Sequence, residues 1–109
     1  MKMKMAGAIL GSVALAGLPA AAETTWSYTT GGHAKAAGTS SIYACDTSAD
    51  GHQTEAQTHH YGGATNFQRD NDGGAACTGA TYGSGSFYEF RACKLNFWND
   101  TCDSFRRAK

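Results

Sequence analysis

Beyond residue 22 the chain has no valine, no methionine and no proline, and a single isoleucine (Ile42) and a single leucine (Leu95). This shortage excludes an ordinary aliphatic core. No apolar run there approaches the roughly 20 residues of a membrane span. No Cys-x-x-Cys pair is present, which argues against a four-thiolate zinc site. No Gly-x-Ser-x-Gly turn is present either, so a hydrolase nucleophile elbow is missing. Basic residues are not in excess: residues 23–109 hold seven Lys and Arg against nine Asp and Glu, a net charge of −2. That balance argues against a nucleic-acid partner, which needs a clustered basic surface. At 109 residues the chain is also too short for a dinucleotide-binding sheet or an eight-stranded barrel.

The first 22 residues have the pattern of a secretory signal. Lys2 and Lys4 precede an uncharged stretch from Met5 to Leu18, Pro19 breaks it, and Ala20, Ala21 and Ala22 supply a cleavage site before Glu23. The expectation is a single exported domain over residues 23–109, free of the membrane after cleavage and monomeric.

What that domain does contain is twelve aromatic residues, twelve alanines and eleven glycines. The core is therefore expected to be aromatic, with Ala and Gly around it. So small a core leaves little stability after ~1.5 kcal/mol of conformational entropy per ordered residue. Cysteine supplies the remedy. An even count (Cys45, Cys77, Cys93, Cys102) in an exported domain implies two disulfides. Three connectivities are open. The short Cys93–Cys102 loop is favoured, which leaves Cys45–Cys77, each bridge contributing ~2–4 kcal/mol.

Period-two patterning points to strands. Trp26 and Tyr28 alternate with Thr25, Ser27 and Thr29 over residues 23–30. Residues 31–41, small and polar, are expected to be a loop. A short strand follows over Ser41 to Cys45, then turn residues Asp46 to Gly51 ending in the hairpin dipeptide Asp50-Gly51. Over 52–60, Thr54, Ala56 and Thr58 share one face, and Gln53, Glu55, Gln57 and His59 the other. Residues 66–69 predict a short strand around Phe67, and Asp70 to Gly74 a turn. Residues 77–82 are ambiguous between strand and loop. The clearest strand is Ser86 to Cys93, with Tyr88, Phe90 and Ala92 facing the core and Phe87, Glu89 and Arg91 facing away. No window has sustained helical periodicity. The fold class is all-β, a small disulfide-stapled sandwich or barrel.

Two stretches, Ala44-Cys45-Asp46-Thr47-Ser48-Ala49-Asp50-Gly51-His52 and Phe90-Arg91-Ala92-Cys93 with a second cysteine soon after, carry a resemblance. With the signal segment, the chain resembles small exported proteins of filamentous actinobacteria (Streptomyces and relatives) over roughly residues 44–105. The resemblance implies export and carries no catalytic residues across.

Several constellations bear on chemistry. Asp46, Ser48 and Asp50 followed by Gly51 match the opening of a calcium loop, but the twelfth position is Gln57 and not a bidentate Glu. An Asx-rich turn without a cofactor is the expected reading, with calcium as the alternative. Asp70, Asn71 and Asp72 offer a weaker version of the same pattern. Of the four histidines, His52 and His60 lie roughly 26 Å apart along an extended strand, and His59 faces away from His60. A metal site would need His33 or an acid from elsewhere, and all four are expected to be exposed polar residues at strand ends. A small hydrolase would need Glu, His and Arg converging in a cleft, and Glu55, Glu89, His59, His60, Arg69 and Arg91 supply the types without a diagnostic spacing.

Aromatics are the remaining candidates for a binding surface: Trp98, Phe97, Tyr61 and Trp26. Phe97 and Trp98 are adjacent inside the short cysteine loop, so alternation exposes Trp98 if Phe97 is buried. Exposed rings stack on sugar faces or anchor proteins. The expectation is a secreted, non-catalytic domain that binds an envelope glycan or an extracellular protein. The alternatives are a protease inhibitor or antimicrobial polypeptide presenting Lys94, Leu95 or Phe97 on a rigid loop, and a small hydrolase.

Overall fold

A computed structural model describes residues 23–71, 76–83 and 85–109. The leader expected over residues 1–22, and most of the turn expected from Asp70 to Gly74, lie outside the described residues. Among the described residues there are nine strands and no helix: β1 (Thr24–Thr29), β2 (Gly32–Ala37), β3 (Ser41–Asp46), β4 (Thr54–His60), β5 (Thr65–Asp70), β6 (Thr78–Thr81), β7 (Phe87–Lys94), β8 (Thr101–Cys102) and β9 (Arg106–Arg107). They form two antiparallel sheets. The first runs β1-β2-β3-β6. The second runs β5-β4-β7, with β8 and β9 sharing the far edge of β7. The sheets pack face to face as a sandwich, stapled by Cys45–Cys77 and Cys93–Cys102.

The loop expected over residues 31–41 is mostly strand. Gly32, Ala34 and Ala36 are buried, while His33, Lys35 and Ala37 point outward. Alanine has little intrinsic strand preference, but pairing with β1 and β3 on both sides overrides it. The turn into β2 depends on Gly31, whose φ of 76° is in the left-handed region that glycine enters without strain. Asp50-Gly51 does not close a hairpin. It lies in the connection that carries the chain from β3 in one sheet to β4 in the other.

The core is not mainly aromatic. Ala34, Ala36, Ile42, Ala44, Ala56 and Ala92 are fully buried, and Phe87 and Phe90 are the rings buried among them, with Tyr82 packed at the margin. Small inner residues let the sheets approach closely. A Cβ at Gly32 would collide with the Thr54 side chain from the opposite sheet and stand 2.7 Å from the Cys45 carbonyl oxygen.

In β7 the expected register holds for Phe90, Ala92, Glu89 and Arg91 and fails at the start of the strand. His59 pairs with Glu89 but His60 pairs with Phe87, so Tyr88 is the extra residue of a β-bulge. The bulge turns Phe87 inward, where it is fully buried, and leaves Tyr88 half-exposed on the outer face.

Polar bridges tie the layers where the core is thin. The Ala92 N–H donates to Ser27 Oγ at 2.8 Å, and Ser27 Oγ–H donates to Asp103 Oδ2 at 2.7 Å. Arg106 Nε also donates to Asp103 Oδ2, at 2.9 Å. This relay joins the edge strand β1 to β7 and to the C-terminal segment. At another margin the Asp46 N–H in β3 donates to Asp70 Oδ2 in β5 at 2.8 Å.

Phe90→Ala should cost about 3–5 kcal/mol in chemical denaturation. Tyr88→Ala, on the bulge, should cost about 1 kcal/mol or less. Equal losses would contradict the bulged register.

The Arg106 guanidinium, supported by Ser27, holds the Asp103 carboxyl below its ordinary value of 3.8. A depressed folded-state value stabilises fully above the ordinary value and is lost as pH falls through the folded one. Asp103→Asn should therefore flatten the acid limb of the stability profile below about pH 4, as urea denaturation against pH would record.

Candidate functional site

The outer face of the first sheet collects the side chains that the core does not use. Strand register sets three rows across it. Thr24, Ala37, Ser41 and Thr81 form a small and hydroxyl-bearing row, with Ser41 Oγ and Thr81 Oγ1 3.2 Å apart. Trp26, Lys35, Tyr43 and Gly79 form the next. Tyr28, His33 and Cys45 form the third.

The rings interlock. Trp26 and Tyr28 lie with centroids 6.2 Å apart and planes 11° from parallel. The His33 ring sits 5.3 Å from Trp26 and 5.8 Å from Tyr28. Lys35 Nζ stands 5.6 Å from the Trp26 ring centre and 5.1 Å from that of Tyr43. Tyr43 lies down over Gly79, where a Cβ would be 2.7 Å from Tyr43 Cε1. Glycine at that position thus keeps the Tyr43 ring low on the sheet. Trp26 is 42% exposed and Tyr28 62%. Burial, and then the charge of Lys35, hold the His33 ring below its ordinary value of 6.5, so it is neutral at neutral pH. From Tyr28 an open groove of about 450 Å³ passes Thr29 and Thr30 to Thr101, Cys102 and Asp103 at the base of the Cys93–Cys102 loop.

Comparison of the chain with protein-family models, with curated proteins and with solved structures finds no match. The geometry therefore carries the functional argument alone.

The loop rings are placed differently from the alternation expected for them. Phe97 is 83% exposed and Trp98 85%, packed edge-to-face on each other at 4.7 Å. Residues 95–100 are not a strand, so neighbouring side chains need not take opposite faces. Tyr61 is exposed at the β4–β5 turn, 5.2 Å from Tyr88, on the other side of the sandwich from Trp26. The four candidate rings thus do not form one surface. Trp26 belongs to the first sheet's face, Phe97 and Trp98 to the bridged loop, and Tyr61 to the second sheet's turn.

The outer face of the second sheet gathers most of the Glu, His and Arg types that a hydrolase would use. Glu55 Oε2 accepts from Arg69 Nε at 2.6 Å, and Glu55 Oε1 accepts from Gln57 Nε2 at 2.7 Å. Arg91 Nε donates to Gln57 Oε1 at 2.8 Å, and the His59 Nδ1–H donates to Glu89 Oε2 at 2.7 Å. Phe105 covers His59 at 4.1 Å and Arg91 at 4.4 Å. These groups satisfy one another under an aromatic cover. His60 departs from its expected exposure: it points inward, nearly buried, and its Nε2 accepts from Asn66 Nδ2 at 3.2 Å. A pocket of about 180 Å³ lies between His59, His60 and Tyr88 at this end.

In the loop read as turn or calcium site, Asp46 Oδ1 accepts from the Ser48 N–H at 3.2 Å and Asp50 Oδ1 from the His52 N–H at 3.0 Å, both Asx contacts. Asp50 Oδ2 also pairs with Lys94 Nζ at 3.0 Å, which, ahead of the His52 N–H, holds the Asp50 carboxyl below its ordinary value. Among the described residues no cluster of three or more His, Cys, Asp or Glu is arranged to hold a metal ion. No helix among them is long and apolar enough to cross a membrane.

Sequence reasoning found Trp26 and missed its neighbours Tyr28, His33, Lys35 and Tyr43 as a site. Reading residues 31–41 as a loop hid His33 and Lys35. The signal was present in the alternation of Gly32, Ala34 and Ala36 with His33 and Lys35.

Because Trp98 projects and Trp26 is flanked by rings and Lys35, Trp98→Phe should remove the more red-shifted, acrylamide-accessible part of the indole emission. Persistence of that component would place Trp98 against the domain.

Proposed function

We propose that this is an exported, non-catalytic domain that binds an envelope glycan through the outer face of the first sheet. The observation that carries this reading is the near-parallel, exposed pair Trp26 and Tyr28 beside Lys35 and the low-lying Tyr43 ring. A pyranose ring has an apolar C–H face and a rim of hydroxyls. Aromatic faces match the first, and a few placed polar groups match the second. Here the polar groups are the Tyr28 and Tyr43 hydroxyls, the neutral His33 ring and the row of Thr24, Ser41 and Thr81. An exposed aromatic patch on so small a domain is costly to leave in water unless something covers it. Export is supported by the leader pattern and by two disulfides, which persist in oxidising compartments.

A second reading is favoured by a separate observation. Phe97 and Trp98 are the most exposed rings, and they sit in a loop whose ends are tied by Cys93–Cys102. Preorganisation of that kind lowers the cost of docking on a protein, as an inhibitor loop does.

Co-sedimentation of the full chain with purified insoluble wall polysaccharide separates the two. Trp26→Ala and Tyr28→Ala should each weaken retention about tenfold or more, in line with loss of an aromatic anchor, with an unchanged melting temperature. Trp98→Ala should leave it intact. Loss in Trp98→Ala alone would move the function to the bridged loop.

A further inference from the structure

We propose that the glycan on this face is a polyuronate, whose ring-borne carboxylate pairs with Lys35. This inference rests on the glycan-binding reading and adds the chemical class of the ligand.

Lys35 is the one cation at an outward position of the first sheet; Arg91, which donates to Gln57 and lies over Phe105, and Arg107 belong to the second sheet, and Lys109 follows it. Lys94 is paired with Asp50, Arg69 with Glu55 and Arg106 with Asp103. Among the described residues Lys35 meets only rings, Trp26 on one side and Tyr43 on the other. No outward position of β1, β2, β3 or β6 carries an acidic residue. The face therefore bears one full charge, positive and without a carboxylate partner. Burial and Lys35 itself keep His33 from adding a second charge at neutral pH.

The position of that charge selects the carrier of the anion. Lys35 Nζ stands between the faces of an indole and a phenol. An anionic group that reaches it brings its own skeleton against one of those rings. In a uronate the carboxylate is attached directly to the pyranose, so one residue can pair with Nζ and present its C–H face to Trp26 or Tyr43. A phosphate linking flexible polyols would reach the ammonium without a ring to stack. A nucleic-acid strand would stack, but it requires several cations along its backbone, and this face has one.

The test uses the full chain in affinity electrophoresis against polygalacturonate and against the same polymer with its carboxylates methyl-esterified, at equal loading. The free acid should bind at least tenfold more tightly than the ester, and rising salt should erase the difference, because the pair is close to solvent. Lys35→Gln should bring the free acid to the affinity of the ester. Lys35→Arg should retain most of the preference. Unchanged melting temperatures of both variants confirm that the sheet is intact.

Equal binding of acid and ester, or no effect of Lys35→Gln, overturns the proposal. So does tighter binding to a glycerol-phosphate teichoic acid or to a single-stranded oligonucleotide. Failure to bind polygalacturonate while wall polysaccharide still retains the chain through Trp26 overturns the ligand class alone. Failure of both overturns the glycan reading as well.

Discussion

Alanine on the inner faces is the constraint on which the rest of the structure depends. With Ala34, Ala36, Ala44, Ala56 and Ala92 lining the interlayer, the sheets come close enough that little besides Phe87, Phe90 and Ile42 fits between them. Gly32 facing Thr54 is the extreme case, since any side chain there would push the layers apart. A layer this thin removes little apolar area from water, and at ~25 cal/mol per Å² the hydrophobic term is correspondingly small. Two disulfides and directional polar bridges take up the difference. Ser27 is the clearest of these: a buried hydroxyl that accepts from β7 and donates to Asp103, so that an edge strand is locked by hydrogen bonds where it has no bulky inward residue. Buried polar groups of this kind stabilise only when each is satisfied, and Ser27 is.

The same constraint sends the aromatic residues outward. A core that accepts few rings leaves Trp26, Tyr28, Tyr61, Phe67, Phe97 and Trp98 in contact with solvent. They do not spread evenly. The first sheet's outer face has rings, one cation, hydroxyls and no acid. The second sheet's outer face is a closed network of Glu55, Gln57, Arg69, Arg91, His59 and Glu89, with Phe105 lying across it. One face has hydrogen-bonding and stacking capacity to offer a ligand. The other has spent most of its capacity internally. That contrast, more than the identity of any single residue, is what favours the first sheet for the proposed binding.

Most of the architecture was legible where period-two patterning was strong. The alternation of Trp26 and Tyr28 with Thr25, Ser27 and Thr29 located β1 and both of its faces. The Phe90, Ala92 face of β7 was equally clear, and the weaker alternation of Thr54, Ala56 and Thr58 still marked the inner face of β4. The pattern failed where side chains were too small to mark a face, as in β2, and where a bulge changed the count, as at Tyr88. Of the site, Trp26 was visible, while Lys35 and His33 were hidden in a stretch whose alanines looked like loop. Phe97 and Trp98 were read as a pair of which one projects, yet both are exposed, because strand logic was applied to a segment that is not a strand.

The sequence by itself determined the class: an all-β domain, short of aliphatics and rich in rings, stapled by two cystines. These follow from composition and local periodicity, which act within a few residues. Only the tertiary structure decided which rings go inside, which charges are paired and which face remains open. Those outcomes depend on strand register and on the sheet each strand joins, and both bring together residues such as Trp26, Lys35 and Tyr43 that nothing in their separation along the chain marks as neighbours.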